Sequence, residues 1–339
     1  MRVLVLGGTG FLGPEVVRHL VAADCQVTVF HRGTRETELP ATVRHIHGDR
    51  DRIGTFVSEF RRIAPDVVVD MRPMTEAHAQ GLVSTFAGLV ERVVVVSSTD
   101  VYRAYGRLNL TEPGPPDPVP LTEDAPLREK LYADRNARPH DRAESLDDYD
   151  KLLVERAVSS EPRLPAAILR LGMVHGPRSY RHFPYVRRMN DRRPGIILAA
   201  SWARWRGTLA YSEDVGAAIA LVAMRPDARG PYNVGDARPT PMAELASAIG
   251  TAADWNGRIV VVPDAELPEA MRPGPGLTQE LILDTGRIRR ELGYEERVPR
   301  GEGLRRTVQW MREHPPGPDD PMGRLELNYD AEDAILRGN

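Results

Sequence analysis

Short valine-rich runs alternate with helix-period segments through the first half of the chain. Residues 3–6, 27–30, 67–70 and 93–96 are runs rich in β-branched side chains and apolar on both faces, so both faces of these strands are expected to be covered. Residues 43–47 form a weaker strand between the second and third runs. Helical periodicity near 11–23, 52–63 and 76–90 separates them. This alternation predicts an α/β fold with a Rossmann-type doubly wound parallel sheet. Residues 103–146 break the rhythm: Pro113, Pro115, Pro116, Pro118 and Pro120 crowd one stretch, as in a long loop or lid over the sheet edge. Order returns with a helix over 148–160 and a strand over 167–171. From about 173 the pattern is mixed. Helices are expected at 214–224, 241–249, 285–292 and 302–312, and strands at 232–234 and 259–262, as in a smaller mixed domain. Residues 316–339 read as an appended C-terminal tail.

Composition narrows the function classes. The 339 residues carry 45 basic and 48 acidic side chains, for a net charge of -3. That balance argues against a nucleic-acid surface. One cysteine, Cys25, excludes an internal disulfide framework and a thiolate metal cluster, and fits a cytoplasmic protein. No apolar run approaches the roughly 18 residues of a membrane span. The opening apolar run stops at Gly7-Gly8, so it reads as a buried strand and not as a signal peptide.

The first strand runs into Gly7-Gly8-Thr9-Gly10-Phe11-Leu12-Gly13 and then a helix. The glycine spacing suits a dinucleotide. Gly7 permits a tight turn, Gly10 lets the backbone approach a pyrophosphate, and Gly13 allows close helix–strand packing. The helix N-terminus, entered through Thr9, Phe11 and Leu12, presents N–H donors to the phosphates. After the second strand comes His31-Arg32-Gly33, with no carboxylate to bond a ribose hydroxyl. Arg32 suits a 2′-phosphate, so NADP(H) is expected ahead of NAD(H). In Gly48-Asp49-Arg50-Asp51, Asp49 is expected at the adenine amino group and Asp51 as a helix N-cap. His45 and His47 share one face of a strand without an evident third ligand, so no metal site is expected.

Later motifs complete a family pattern. Val95-Val96-Ser97-Ser98-Thr99-Asp100-Val101-Tyr102, Lys151-Leu152-Leu153-Val154-Glu155, Arg170-Leu171-Gly172-Met173-Val174-His175-Gly176-Pro177 and Tyr211-Ser212-Glu213-Asp214-Val215 follow in order. Their sequence resembles the extended short-chain dehydrogenase/reductase family, in its NAD-dependent epimerase/dehydratase branch, over residues 1 to about 313. His31-Arg32-Gly33 and Gly48-Asp49-Arg50-Asp51 resemble an atypical branch that includes reductases and RNA-binding relatives. The resemblance implies a dinucleotide-binding domain over 1–172, with returning segments near 208–234. It implies a smaller substrate-binding domain from 173–207 and 235–315.

The resemblance also implies hydride chemistry, with Ser98 holding the substrate oxygen and Lys151 binding the nicotinamide ribose. The family tyrosine should precede the lysine by four residues, where this chain has Asp147. Asp147 is too short to reach the substrate oxygen and is expected to cap the helix or pair with Lys151. Tyr149 is the candidate replacement. Two residues apart on a helix are about 200° apart, so Tyr149 serves only if the helix begins late. Tyr102 and Tyr132 have no positional support. Residues 180–206 carry Arg181, Arg187, Arg188, Arg192, Arg193, Trp202, Trp205 and Arg206, which suit an anionic or planar substrate. This segment and 103–146 are expected to face each other across the substrate cleft. The leading function is an NAD(P)-dependent epimerase/dehydratase-type oxidoreductase for a sugar-like or secondary-metabolite substrate, compatible with a homodimer. The rivals are an NADPH-dependent ketone or enone reductase, and a non-catalytic dinucleotide-sensing or RNA-binding protein.

Overall fold

The computed structural model describes residues 1–34, 37–133, 135 and 147–338. In chain order the first half gives β1 (Arg2–Leu6), α1 (Gly13–Ala22), β2 (Gln26–His31), β3 (Arg44–His47), α2 (Val57–Ile63), β4 (Val67–Asp70), α3 (Glu76–Phe86), β5 (Arg92–Ser98), α4 (Arg103–Leu108), α5 (Lys151–Ser159) and β6 (Ala166–Leu171). The second half gives β7 (Met173–His175), α6 (Phe183–Asn190), β8 (Gly195–Ala199), α7 (Ala200–Arg204), β9 (Arg206–Gly207), β10 (Leu209–Tyr211), α8 (Ser212–Met224), β11 (Gly230–Val234), β12 (Thr240–Pro241), α9 (Met242–Ala252), β13 (Arg258–Val262), α10 (Gly286–Leu292), α11 (Arg300–Glu313) and α12 (Tyr329–Gly338).

Seven parallel strands form one sheet in the order β3-β2-β1-β4-β5-β6-β11. The valine-rich strands are buried on both sides, as their composition requires. Val3, Val5, Val29 and Val94 pack against α1 and α8, while Leu4, Leu6, Phe30 and Val95 pack against the α2, α3 and α5 side. The strand order reverses at β1, where β2 and β4 lie on either side. Sheets of this kind bind ligands at the carboxyl ends of the strands beside such a reversal. A separate apolar core joins α6, β8, α9 and α11 with Tyr102 and Leu121.

Three expectations are corrected. The helix expected over 52–63 is split: Arg50–Phe56 is a tight 3-10 segment, with non-helical geometry at Arg52, ahead of α2. The stretch after β5 is folded as far as it is described. Asp117 pairs with Arg103 and its N–H donates to Gln279 Oε1 at 2.6 Å, and Leu121 N donates to Ile282 O at 2.7 Å. Residues 134 and 136–146 of that stretch lie outside the described residues. The tail is packed: α12 lies on β8, with Ile335 and Leu336 against Val260 and Val262. Among the described residues no helix is long and apolar enough to cross a membrane.

Candidate active site

The glycine loop is built for close approach. Gly7 turns off β1 at φ +84°, a conformation that favours glycine. A Cβ on Gly13 would lie 2.3 Å from the Gly8 carbonyl carbon, so α1 begins hard against the loop. A Cβ on Gly10 would meet only the Gly7 carbonyl oxygen, at 3.6 Å, which leaves open space on its outer side. No side chain caps the N-terminus of α1 at Leu12, so its N–H donors are available. The Thr9 carbonyl accepts from Thr37 Oγ1 at 3.1 Å. A turn that lacks Cβ atoms at Gly7, Gly8 and Gly10 and leads to an uncapped helix N-terminus fits a dinucleotide pyrophosphate.

At the end of β2, Arg32 is exposed beside the positive-φ turn at Gly33. Asp49 is exposed, and its carboxylate accepts from Asp51 N at 3.1 Å. Asp49 is therefore the cap expected of Asp51, which pairs with His78 at 2.9 Å. His31 joins His45 and His47, so the third imidazole not seen from strand periodicity is present.

The chemistry-bearing groups meet at the carboxyl end of β5. Asp150 is the N-cap of α5: its backbone is extended at φ -159°, and its carboxylate accepts from Leu152 N at 2.9 Å. The buried Arg128 guanidinium holds the same carboxylate at 2.8 Å. The helix therefore begins at Lys151, and Tyr149 lies in the extended approach to it. In extended chain, residues two apart point to the same side, so the helical objection to Tyr149 disappears. Tyr149 is buried and its hydroxyl donates to Asp100. Asp100 follows half-buried Ser98, whose Oγ accepts from Asp100 N at 3.4 Å. Lys151 Nζ is buried and donates to Val96 O at 3.0 Å and Pro73 O at 2.9 Å. Burial pushes the Lys151 ammonium down to about 8; Asp100 and Asp70 oppose that shift, and Arg50 and Arg72 add to it.

The other candidates are placed elsewhere. Asp147 is exposed on a turn, and Asp150 takes the capping role expected of it. Tyr102 donates to Asn233 Oδ1 at 2.6 Å and accepts from Arg170 at 3.0 Å within a buried network, where burial pushes it up to about 12. Glu155 pairs with Arg170 at 2.7 Å and accepts from Ser97, while Lys151 donates to backbone carbonyls.

A model described as the NAD dependent epimerase/dehydratase family matches residues 3–235. The chain belongs to that family. Among its relatives, a 2′-dehydrokanamycin reductase from Streptomyces kanamyceticus is 28% identical over 314 residues, covering 88% of this chain and 81% of that protein. The dTDP-glucose 4,6-dehydratase 1 of Escherichia coli K12 is 24% identical, covering 91% and 92%. A UDP-glucose 4-epimerase from Thermus thermophilus, solved with NAD, shares the fold at a TM-score of 0.68, with 23% identity and 93% and 100% coverage. Family membership makes the chain an enzyme of the NAD-dependent epimerase/dehydratase type.

Two features of this family member escape a reading of the sequence. Asp100 belongs to no candidate set there, although an ionisable side chain two residues after Ser98, at a strand's carboxyl end, is a usable signal. The arginines of 180–206 largely satisfy carboxylates of the protein itself. Arg188 pairs with Glu332 at 2.5 Å, Arg193 with Asp333, Arg187 with Asp191 at 2.9 Å and Arg206 with Glu280 at 2.7 Å. Trp205 is buried, stacked on Trp202, and donates to Gln279 O at 2.7 Å. The segment's arginine content thus reflects folding contacts more than a substrate surface. Its Tyr180, Phe183 and Trp205 share one apolar cluster with Tyr105, Leu121 and Leu127 of the stretch after β5.

Proposed function

We propose that the chain is an NADP(H)-using oxidoreductase of the epimerase/dehydratase type, acting on a sugar-like or secondary-metabolite substrate. The convergence of Tyr149, Asp100 and Lys151 at the end of β5 carries this reading. A bound nicotinamide supplies the hydride donor or acceptor. Gly7, Thr9, Gly10, Phe11, Leu12 and Gly13 would hold the pyrophosphate, Arg32 the 2′-phosphate and Asp49 the adenine edge. Tyr149 acts as proton donor and acceptor for the substrate oxygen. In the oxidative direction the substrate proton moves to the Tyr149 oxygen while the Tyr149 proton moves to the Asp100 carboxylate. The reductive direction reverses both transfers. Lys151 sets a positive charge beside the Asp100 carboxylate, which is ionised whenever it is not holding the relayed proton. Ser98, whose oxygen accepts from Asp100 N, keeps its own proton to donate to the substrate oxygen. We infer that the α6–α9–α11 half, together with residues 103–133, forms the substrate side of the cleft.

A simple ketone reductase is the second reading, favoured by the similarity to a 2′-dehydrokanamycin reductase. The nucleotide separates the two. An epimerase or dehydratase recycles its cofactor, so mass spectrometry of the denatured protein should find it retained in stoichiometric amount. Sustained oxidation of free NADPH with a panel of keto-sugars and keto-aminoglycosides would establish the reductase instead. Absence of nucleotide binding in both assays would refute the oxidoreductase proposal.

A further inference from the structure

We propose that His31, His45 and His47 act with Arg32 as a preorganised anion pocket for the 2′-phosphate at the adenosine end of the cofactor. This rests on the NADP(H) reading above and extends it to residues outside the glycine loop. His31 is the last residue of β2, where dinucleotide folds that read NAD place a carboxylate on the ribose. His45 and His47 come from the edge strand β3, with His47 the cross-strand partner of His31. Ile46, between them, packs into the core with Phe30, which sends both histidines to the opposite face. A nitrogen from each imidazole lies within 4.8 Å of the other two.

Three clustered imidazoles ordinarily suggest a cation, but the hydrogen bonding points the other way. The Gly33 N–H donates to His31 Nδ1 at 3.2 Å, so that nitrogen bears a lone pair and the neutral ring's proton sits on Nε2. His31 Nε2 lies 2.9 Å from His45 Nδ1 and donates to it, which places the His45 proton on Nε2. A metal on His31 Nε2 would drive that proton to Nδ1, against the Gly33 N–H. Opening the 2.9 Å contact to the roughly 3.4 Å separation of tetrahedral nitrogen ligands would cost further adjustment. The relay instead ends in an N–H donor on exposed His45. Gly33, at φ +75°, folds the chain over His47: a Cβ there would lie 3.3 Å from His47 Cδ2. Exposed Arg32 is thereby set at the same corner, and it supplies the charge. A fixed donor beside a guanidinium suits a phosphomonoester.

Isothermal titration with adenosine 2′,5′-bisphosphate and 5′-AMP isolates the phosphate, because the two ligands differ only there. The unmutated protein should bind the bisphosphate about tenfold or more tighter. His45→Ala and His47→Ala should each remove most of that ratio while keeping the 5′-AMP affinity, which also reports an intact fold. If the unmutated protein does not discriminate, the NADP(H) reading itself fails and takes this inference with it. If both histidine variants discriminate fully and only Arg32→Ala does not, the NADP(H) reading stands and the histidine pocket is overturned. Stoichiometric Zn²⁺ binding that disappears in His45→Ala, with phosphate discrimination unchanged, would also overturn it in favour of a cation site.

Discussion

Removing the Tyr149 hydroxyl takes away the proposed proton donor and leaves the Asp100 carboxylate facing a bare ring. Tyr149→Phe and Asp100→Asn should each lower kcat by about 100-fold or more, with cofactor affinity nearly unchanged. Asp147→Asn should leave both parameters alone, because Asp147 is exposed and outside α5. Steady-state kinetics on the identified substrate decides this; full activity in Tyr149→Phe would remove the tyrosine from the mechanism. A second expectation concerns pH. His175 is buried against Thr307 and His182, and burial, aided by the Arg181 and Arg300 charges, pushes it down to about 4. His182 shifts in the same direction, mainly through burial. An unfolded chain binds protons at these sites that the folded chain does not, so stability falls as pH drops from about 6.5 towards 4. The His175 share is roughly 3 kcal/mol over that window. Urea denaturation of the unmutated protein and His175→Phe across the window should show a shallower pH slope in the variant; parallel slopes would contradict the assignment. Tyr149 also shows where reading the sequence stops. The spacing to Lys151 was legible, but the start of the helix depended on Asp150, held by Arg128 from the proline-rich stretch.

At the scale of elements, the two ends of the glycine loop should respond differently. Gly13→Ala puts a Cβ into the Gly8 backbone and should cost about 1–3 kcal/mol of stability, read as a lower Tm. Gly10→Val has room within the protein but fills the outer space beside the loop, so the fold should persist while dinucleotide affinity disappears. Unchanged affinity in Gly10→Val would mean the loop does not hold the pyrophosphate. The parallel strands were legible because burial on both faces leaves uninterrupted apolar runs, and their neighbours in the sheet confirm that environment. The ion pairs of the 180–206 segment were not legible, because Arg188 and Arg193 find their carboxylates at the far end of the chain and Arg206 finds its own at Glu280. Glu332→Ala would leave Arg188 without its carboxylate, with only the Pro184 carbonyl as acceptor among the described residues, and should cost about 2 kcal/mol, allowing for the partial exposure of Arg188. A lower Tm with unchanged KM is expected. A raised KM with unchanged Tm would restore the substrate-binding reading of these arginines.

The whole molecule joins a seven-stranded parallel sheet to a second core, and Tyr149, Asp100 and Lys151 gather at the carboxyl end of β5. Motif order carried the family and the sheet half, because each motif sits at a strand end or helix start that its own residues dictate. The contacts that complete the site were not legible, since they cross between distant segments: Tyr149 to Asp100, Lys151 to the carbonyls of Pro73 and Val96, and His31 to His45. In the proposed mechanism Tyr149, brought round by the late start of α5, works beside Lys151 at the nicotinamide. A crystal structure of the protein with NADPH tests it most directly. The nicotinamide ribose should hydrogen-bond Lys151 Nζ, which exchanges its Pro73 carbonyl contact for a ribose hydroxyl, with the Tyr149 hydroxyl at the substrate-facing side of the nicotinamide ring. A nicotinamide bound away from both residues, with Tyr149 still sealed against Asp100 and out of the cleft, would contradict it.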